Sequence, residues 1–212
     1  MKSSKLQRKK FIEKTLKLAG ITDRRVLQAF RQVPREEFVP RDLRDQSYLD
    51  TALPISEGQT ISQPSLVALM TQLLKLKGNE KVLEIGTGSG FQAAILSKIA
   101  MQVYSIERIA SLANRAGKTL KKLKIDNVKI IVGDGTLGLP KFSPFNAIVV
   151  TAAAKKIPQA LIYQLADNGR LVIPVNESLT GQKLKLITKH SGKFETKDIE
   201  NVVFVPLIGK YS

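Results

Sequence analysis

The segment KVLEIGTGSGFQAAILS, residues 81–97, decides the fold. It begins with a short apolar stretch, which predicts a buried strand, and ends with an apolar run that predicts a helix. Gly86, Gly88 and Gly90 lie between the two. Glycines at such a junction let the backbone turn tightly and let a ligand approach the main chain. The segment therefore predicts a strand, a ligand-binding turn and a helix, in that order.

The spacing of these glycines narrows the type of ligand. A dinucleotide fingerprint reads G-x-G-x-x-G, which would place a glycine at position 91, where this chain has Phe91. The G-x-G-x-G spacing argues against a pyrophosphate and favours a different nucleotide-like cofactor.

The same alternation of strand and helix continues outward from this segment. Further strands are predicted at 102–107, 128–134, 146–152 and 169–175, and helices at 91–100, 111–124 and 158–166. Strands that alternate with helices form βαβ units, in which a parallel sheet is covered on both faces. The near-continuous apolar strands agree, because such strands are buried on both sides. We predict an α/β fold with a central, mostly parallel, twisted sheet.

Acidic residues at successive strands indicate which cofactor is bound. Glu107 closes the second strand about 20 residues after Gly86, where a carboxylate can accept the hydroxyl protons of a ribose. Asp134 ends the third strand and can accept from an exocyclic amine, while Gly135 leaves room for a flat ring. Glu84 lies inside the first strand, where an acid is costly without a partner such as a ligand amino group. Singly, these acids could be helix caps or surface charges. Together they predict S-adenosylmethionine, which needs ammonium, ribose and adenine sites but no phosphate site.

The composition excludes several kinds of site. The 212 residues include no cysteine and one histidine, His190, so disulfides, thiolate metal sites and a Cys nucleophile are excluded. His190 precedes the Ser191-Gly192 turn, and we predict that it is solvated. No stretch approaches the roughly 20 apolar residues of a membrane span. The N-terminus lacks the apolar centre of a signal peptide. We predict a metal-free, cytoplasmic protein.

The net charge is unusually high. The chain has 34 Lys and Arg against 18 Asp and Glu, a formal net charge of +16. Residues 1–35 are especially basic. This balance favours contact with a polyanion such as nucleic acid. The alternative is a solvated basic helix face, which the absence of aromatic residues among the charges favours.

The N-terminal part is predicted to be helical and then irregular. Helices are expected at 4–19 and 22–33, separated by Gly20, followed by an ordered loop over 33–58. The segment GQTISQPSLVALM, residues 58–70, then leads into a helix at about 64–77. Its apolar stripe comprises Leu66, Leu69, Met70 and Leu73. Ser62, two residues before Pro64, is predicted to cap that helix.

The C-terminal part is predicted to be antiparallel. Strands at 183–190 and 193–199 flank the Ser191-Gly192 turn, and residues 201–209 are predicted to form a last strand. We predict one domain over 1–212. It would comprise an N-terminal helical and loop cap (1–60), a cofactor-binding core (61–175) and C-terminal strands (176–212).

Several of these segments together resemble one family. The segments VLEIGTGSGFQAAILS, VYSIER, GDGTLG and FNAIVVTAAAKKIPQALIYQLADNGRLVIPV are similar to the cofactor-binding motifs of protein-L-isoaspartate (D-aspartate) O-methyltransferases. VPREEFVP, ALPISEGQTISQP and FVPLIG resemble segments particular to that family. The resemblance covers roughly residues 22–208.

The resemblance implies a Rossmann-like class I S-adenosylmethionine-dependent methyltransferase, which leaves S-adenosylhomocysteine as product. The implied cofactor-binding residues are Gln59, Thr60, Ile61, Ser62, Glu84, Gly86, Thr87, Gly88, Gly90, Glu107, Arg108, Asp134, Gly135 and Thr151. The implied substrate-binding residues are Pro54, Ile55, Ser62, Thr151, Ala152, Val205 and Pro206. Ser62 is the implied catalytic hydroxyl, and a monomer is expected.

The implied reaction repairs damaged proteins and peptides by methylating the free carboxylate of L-isoaspartyl residues, with D-aspartyl residues left open. Such a carboxylate, with a pKa of about 3.5, is ionised at neutral pH and needs no general base. Catalysis is then mainly positioning, with the Ser62 hydroxyl donating a hydrogen bond that aims the carboxylate. The alternative is a methyltransferase for RNA or another nucleic acid, which the basic charge favours. The absence of a [DN]PP[YF] motif and of cysteine opposes it.

Overall fold

A seven-stranded sheet forms the centre of the protein in the computed structural model, which describes residues 2–178 and 181–211. The strands are β3 (Lys81–Ile85), β4 (Gln102–Glu107), β5 (Val128–Val132), β6 (Phe145–Val150), β7 (Leu165–Ser178), β8 (Gly181–His190) and β9 (Lys193–Asn201). Across the sheet they lie in the order β5-β4-β3-β6-β7-β8-β9. Strands β3 to β7 pair in parallel, and β8 and β9 add antiparallel strands at one edge. The predicted mostly parallel sheet is confirmed.

Helices cover both faces of the sheet because its central strands are apolar on both sides. Along β3, Val82 packs into one buried cluster and Leu83 into another, and each is fully buried. The alternation follows from side chains pointing to opposite faces of a strand. The helices of this part are α4 (Phe91–Ser97), α5 (Ala110–Lys122) and α6 (Gln159–Tyr163). Each predicted helix is present and shorter than expected.

The order of the strands reverses next to β3. From β3 the chain moves outward to β4 and β5 on one side, and it then returns to place β6 on the other. In open α/β sheets, ligands bind outside the carboxyl ends of the strands at such a switch point. The loops that follow β3 and β6 are therefore the place to look for a site.

The N-terminal third of the chain packs as a helical layer against the sheet. Its elements are α1 (Lys2–Phe11), a π-helical turn (Ile12–Leu16), α2 (Arg24–Gln32), two 3₁₀ turns (Arg35–Glu37 and Arg41–Gln46), the short hairpin β1 (Leu53–Pro54) and β2 (Thr60–Ile61), and α3 (Pro64–Leu73). Asp23 caps α2 by accepting from the Arg25 and Val26 amides. Phe91 of α4 meets the rings of Phe30 and Phe38, which joins this layer to the core.

The predicted apolar stripe of α3 is only partly the buried one. Met70 is buried together with Val67 and Thr71, whereas Leu66 and Leu69 are only half-buried. The helix also ends at Leu73, short of the predicted residue 77. The buried face of α3 is therefore rotated about the helix axis from the face that the hydrophobic periodicity indicates.

Of the two predictions for the C-terminal part, the hairpin is confirmed and the last strand is wrong. The hairpin at Ser191-Gly192 is confirmed, with His190 pairing with Lys193 across the turn. The predicted strand at 201–209 is wrong, because residues 202–209 form only an isolated bridge, between Pro206 and Ala153. Here the main chain bonds to Ala153, since the Ala153 amide donates to Val205 O and the Leu207 amide donates to Ala153 O. The segment crosses the sheet end instead of extending the sheet.

The predicted internal boundaries remain untested. Residue 60 lies within β2 and residue 175 within β7, so both divisions fall inside strands. Residues 1, 179–180 and 212 of the predicted cap and C-terminal strands lie outside the described residues. Within 2–178 and 181–211, every helix is too short or too polar to cross a membrane. These ranges also contain no cluster of His, Asp or Glu that could hold a metal ion.

Candidate active site

The glycine turn after β3 lies against the end of β6. Gly86 has φ +93°, a left-handed conformation that favours glycine. The Thr151 hydroxyl donates to Gly86 O at 2.7 Å, and a Cβ added at Gly86 would lie 2.4 Å from Thr151 Oγ1. Gly88 and Gly90 also have positive φ, at +53° and +89°. The turn is thus held in one shape by the neighbouring strand.

Glu84 lies fully buried beneath this turn. Its Oε2 accepts a hydrogen bond from the Ser105 hydroxyl at 2.5 Å, and Thr87 in turn bonds Ser105 Oγ. Its Oε1 is buried and has no hydrogen bond of good geometry with the described residues, although the Ala93 amide lies near enough to this carboxyl to act against the rise in its pKa. Burial raises the pKa of Glu84 to about 8 against the opposing Ser105 hydrogen bond, and the charge of Glu107 adds to the rise. A buried acceptor without a donor is what a ligand ammonium group would satisfy.

Glu107 ends β4 beside the same turn. Its two carboxylate oxygens accept from the amides of Gly88 and Ile109, each at 2.9 Å. An ionised carboxylate offers about four acceptor positions, so two remain for ligand hydroxyls. The structural role of a cap before α5 and the predicted ribose contact are therefore compatible.

Asp134 faces a different partner from the one predicted. Its Oδ1 accepts from the Thr136 amide and hydroxyl, and its Oδ2 accepts from the Lys210 amide at 2.7 Å. Partial burial acts to raise the pKa of Asp134, but these hydrogen bonds outweigh it and lower the pKa below its ordinary value. The adenine contact of Asp134 thus stays a prediction. Gly135, which follows it, packs directly on Ile85, since a Cβ there would lie 2.3 Å from Ile85 Cγ2.

The turn, the ends of β4 and β6, and residues 205–208 enclose a cavity that we call the inner cleft. It is lined by Gln59, Thr60, Ile85, Gly86, Gly88, Ile106, Glu107, Arg108, Ile109, Gly135, Thr151, Ala152 and Val205 to Ile208. Among the predicted cofactor residues, Ile61 is buried in the core, Thr87 is buried below the turn, and Gly90 begins α4. The spare acceptors of Glu107, which lines the cleft, fit the ribose of S-adenosylmethionine. Glu84 lies beneath the turn and is not part of the lining, so its contact with the ligand amino group stays a prediction.

A larger cavity of about 780 Å³, the outer groove, adjoins the inner cleft. Its lining comprises Ala19, Thr51, Ala52, Thr60, Ser62, Gln63, Ser65, Leu66, Leu69, Thr151 and residues 200–205. In the described part of the chain, this lining includes no lysine or arginine and a single acid, Glu200. Thr60, Thr151 and Val205 line both cavities. A group in the outer groove can therefore meet a group in the inner cleft at these three residues.

Ser62 lies in the outer groove and does not cap α3, so that prediction is wrong. Helix α3 has Gln63 at its N-cap position with no side-chain cap from that residue. The Ser65 amide instead donates to Asp50 Oδ1 at 2.9 Å. Ser62 is half-buried, and its hydroxyl makes no hydrogen bond with the described residues. Its donor is available to a ligand in the groove.

The other predicted substrate residues are divided between the two cavities. Thr151 and Val205 line the outer groove, whereas Ala152 and Pro206 line only the inner cleft. Pro54 and Ile55 line neither cavity, because Pro54 pairs with Thr60 across the β1–β2 hairpin. His190 is exposed and bonds Asn168 through Nδ1 at 2.7 Å.

Sequence reasoning missed several residues of the site. Thr51 and Ala52 line the groove just before the predicted Pro54, and Leu66 and Leu69 face it from a stripe that looked like core. These residues carry no local sequence signal for a groove. Ser105 could have been found, because it is a polar residue in an apolar strand and pairs in register with Glu84.

Comparison with known families supports a specific interpretation of this geometry. The model of the family described as Protein-L-isoaspartate(D-aspartate) O-methyltransferase matches residues 6–212. The match extends beyond the resemblance seen in the sequence, which began at about residue 22. It therefore includes most of the basic N-terminal segment.

Individual proteins agree with the family match. The chain is 52% identical to protein-L-isoaspartate O-methyltransferase 1 of Syntrophobacter fumaroxidans, covering 96% of this chain and 95% of the relative. It is 47% identical to the protein-L-isoaspartate O-methyltransferase of Methanoculleus marisnigri, over 97% and 93%. A solved beta-aspartate methyltransferase structure from Plasmodium falciparum, in complex with S-adenosyl-L-homocysteine, is also similar. It is 32% identical with a TM-score of 0.83, covering 95% of this chain and 98% of that one.

Proposed function

The chain belongs to the protein-L-isoaspartate(D-aspartate) O-methyltransferase family, and we propose how its residues perform that reaction. It is an S-adenosylmethionine-dependent methyltransferase that acts on L-isoaspartyl residues of damaged proteins and peptides. The relatives do not favour the alternative of a nucleic-acid methyltransferase, which the basic charge alone had suggested.

The cofactor is assigned to the inner cleft. S-adenosylmethionine bound there would supply a methyl group, which passes to a carboxylate oxygen as the methyl–sulfur bond breaks and the sulfur leaves as the thioether of S-adenosylhomocysteine. Glu107 would accept from its ribose hydroxyls, Glu84 would accept from its amino group beneath the glycine turn, and Gly135 would lie against its ring. Glu107 supports this assignment most directly, because it lines the cleft and keeps acceptor positions beyond those used by the Gly88 and Ile109 amides.

The isoaspartyl carboxylate is assigned to the outer groove. The Ser62 hydroxyl donates to one carboxylate oxygen, which leaves the other oxygen to attack at the boundary marked by Thr60 and Thr151. Among the residues that the structure describes, no lysine or arginine lines the groove, so none would hold the carboxylate in an ion pair and weaken it as a nucleophile. A single observation carries this proposal: the unpartnered Ser62 hydroxyl lies in a groove that meets the inner cleft.

Methyl transfer to paired peptides tests the proposal. We expect labelled methyl groups on an isoaspartyl peptide and none on the matching aspartyl peptide. Ser62→Ala should lower kcat by roughly 10-fold, as for loss of one hydrogen bond to a charged group. Its melting temperature should stay unchanged, because the hydroxyl makes no internal hydrogen bond. An unchanged kcat would remove the catalytic role of Ser62. A lower melting temperature of the variant would indicate that Ser62 has a structural role. D-aspartyl acceptance is decided by a third peptide in the same assay.

We also propose that the protein contacts nucleic acid through a second surface, the basic groove. Six of the twelve residues that line it are cations: Lys17, Arg24, Arg25, Arg31, Lys77 and Lys98. None of the twelve is acidic, although Glu13 pairs with Lys17 and Arg31 nearby. Phosphate groups of a nucleic-acid strand complement such a lining.

Binding of a labelled single-stranded RNA tests the basic groove. We expect salt-sensitive binding that Arg24→Glu with Arg25→Glu weakens about 10-fold or more, because two phosphate contacts are lost. Lys193→Glu with Lys197→Glu, on the exposed β9 hairpin, makes the same charge change elsewhere. An equal loss of RNA affinity in both double variants would point to net charge alone.

A monomeric state and a cytoplasmic location are further proposals, to be checked by light scattering and by cell fractionation.

A further inference from the structure

The loop over residues 47–52 forms one wall of the outer groove and is tied to the protein core. Arg35, which is 2% exposed, donates from Nε to Ser47 O at 3.0 Å and from Nη2 to Thr51 O at 3.1 Å. Its guanidinium carbon lies 5.3 Å from the centre of the Phe91 ring. Burial lowers the pKa of Arg35 to about 10, so it stays charged at neutral pH. Both ends of the loop are thus fixed.

Asp50 lies between these two fixed points and reaches the start of α3. Its Oδ1 accepts from the Ser65 amide at 2.9 Å, and its Oδ2 accepts from Gln63 Nε2 at 3.1 Å. Gln63 Nε2 also contacts Ser65 Oγ at 2.9 Å. A carboxylate here satisfies a free amide of the first helical turn and complements the helix dipole. The cap comes from 15 residues earlier in the chain.

These contacts hold Ser62 from its C-terminal side. On its N-terminal side, Ile61 pairs with Leu53 in the short hairpin. Ser62 itself forms no hydrogen bond with the described residues, so its backbone neighbours set where its hydroxyl lies. We propose that Asp50 is a positioning residue for methyl transfer, which holds the Ser62 turn in the outer groove. This inference rests on the proposed function of Ser62.

Replacing Asp50 tests the inference. Asp50→Ala should lower kcat by about 10-fold with little change in KM, because a small misplacement of an orienting group slows the reaction more than it weakens binding. Asp50→Asn should restore most of the activity. The asparagine oxygen can still accept from the Ser65 amide, and its NH₂ group can donate to a reoriented Gln63 side chain.

A double-mutant cycle separates positioning from general stability. If Asp50 acts through Ser62, Asp50→Ala should lower kcat by less than about 2-fold in a Ser62→Ala background. The same 10-fold loss in both backgrounds would overturn the inference. The inference would also be overturned if Asp50→Ala had the kcat of the wild type while Ser62→Ala had a lowered kcat. That result would leave the role of Ser62 intact. A normal Ser62→Ala would overturn both roles, while labelling by the wild type would still establish the methyl transfer.

Two controls complete the experiment. Asp45→Ala removes an exposed acid from the preceding 3₁₀ turn, where it makes no hydrogen bond or ion pair with the described residues, and kcat should not change. S-adenosylhomocysteine binding by each variant reports on the inner cleft and should be unaffected. If Asp50→Ala fails to fold, Asp50→Glu keeps the charge but displaces the carboxylate. It should then show the loss of kcat, and wild-type kcat in a folded Asp50→Glu would count against positioning.

Discussion

The inner cleft and the outer groove share Thr60, Thr151 and Val205 but are built in different ways. The cleft is made from neighbouring strand ends of one sheet, with buried acids and with Gly86 and Gly135, at which a Cβ would clash. The groove is made from segments far apart in the chain, between residues 19 and 205, and its lining is nearly neutral. The cleft therefore suits a fixed cofactor, whereas the groove suits substrates that share only a carboxylate and a peptide backbone.

The largest expected effect concerns the glycine turn of the cleft. Gly86→Ala forces a side chain into a left-handed conformation with its Cβ 2.4 Å from Thr151 Oγ1. We expect methyl transfer to fall by more than about 100-fold, because the turn and the shared wall of the groove both shift. Gly117→Ala is the matched control, since a Cβ at this helical glycine meets nothing within 4 Å. It should stabilise the protein by about 0.5–1 kcal/mol in urea unfolding. Near-normal activity of Gly86→Ala would contradict the view of the cleft as rigid.

An intermediate effect is expected at Glu107. Glu107→Gln keeps the size of the side chain but has one acceptor oxygen, so it cannot accept from both Gly88 and Ile109 as well as from a ribose. Binding of S-adenosylhomocysteine, measured by titration calorimetry, should weaken by about 10- to 100-fold. Glu195→Gln, an exposed acid on β9, should bind normally. Equal affinity in both variants would remove Glu107 from the cofactor site.

The last prediction concerns a different quantity, the dependence of the free energy of unfolding on pH, which the carboxyl beneath the cleft sets. The pKa of Glu84 is about 8 in the folded protein and near 4.5 when unfolded. Because the folded pKa is raised, this contribution to stability is complete below pH 4.5 and is lost as the pH rises toward 8. Urea unfolding of the cofactor-free protein should show this decline, and Glu84→Gln should flatten it. An equally steep slope in Glu84→Gln would assign the effect to other groups.

The sequence could predict the cleft because its determinants are local. A parallel strand, a glycine turn and a helix follow one another in the chain, so spacing alone indicates Gly86, Gly88 and Glu107, which all line the inner cleft. The groove could not be predicted in this way. Thr51, Leu66 and Val203 approach one another only after the N-terminal layer and the C-terminal segment pack on the sheet. Family resemblance supplied Ser62, and it also supplied Pro54 and Ile55, which line neither cavity.

By itself, the sequence determined the α/β sheet, the antiparallel hairpin at its edge and the acids around the glycine turn. Each of these depends on hydrophobic periodicity or on residues close together in the chain. Only the tertiary structure decided that Ser62 faces a groove, that Asp50 caps α3 in its place, and that residues 202–209 cross the site instead of forming a strand. The reason is physical: a free amide or a strand edge accepts whichever partner packing brings near, and that partner can lie anywhere in the chain.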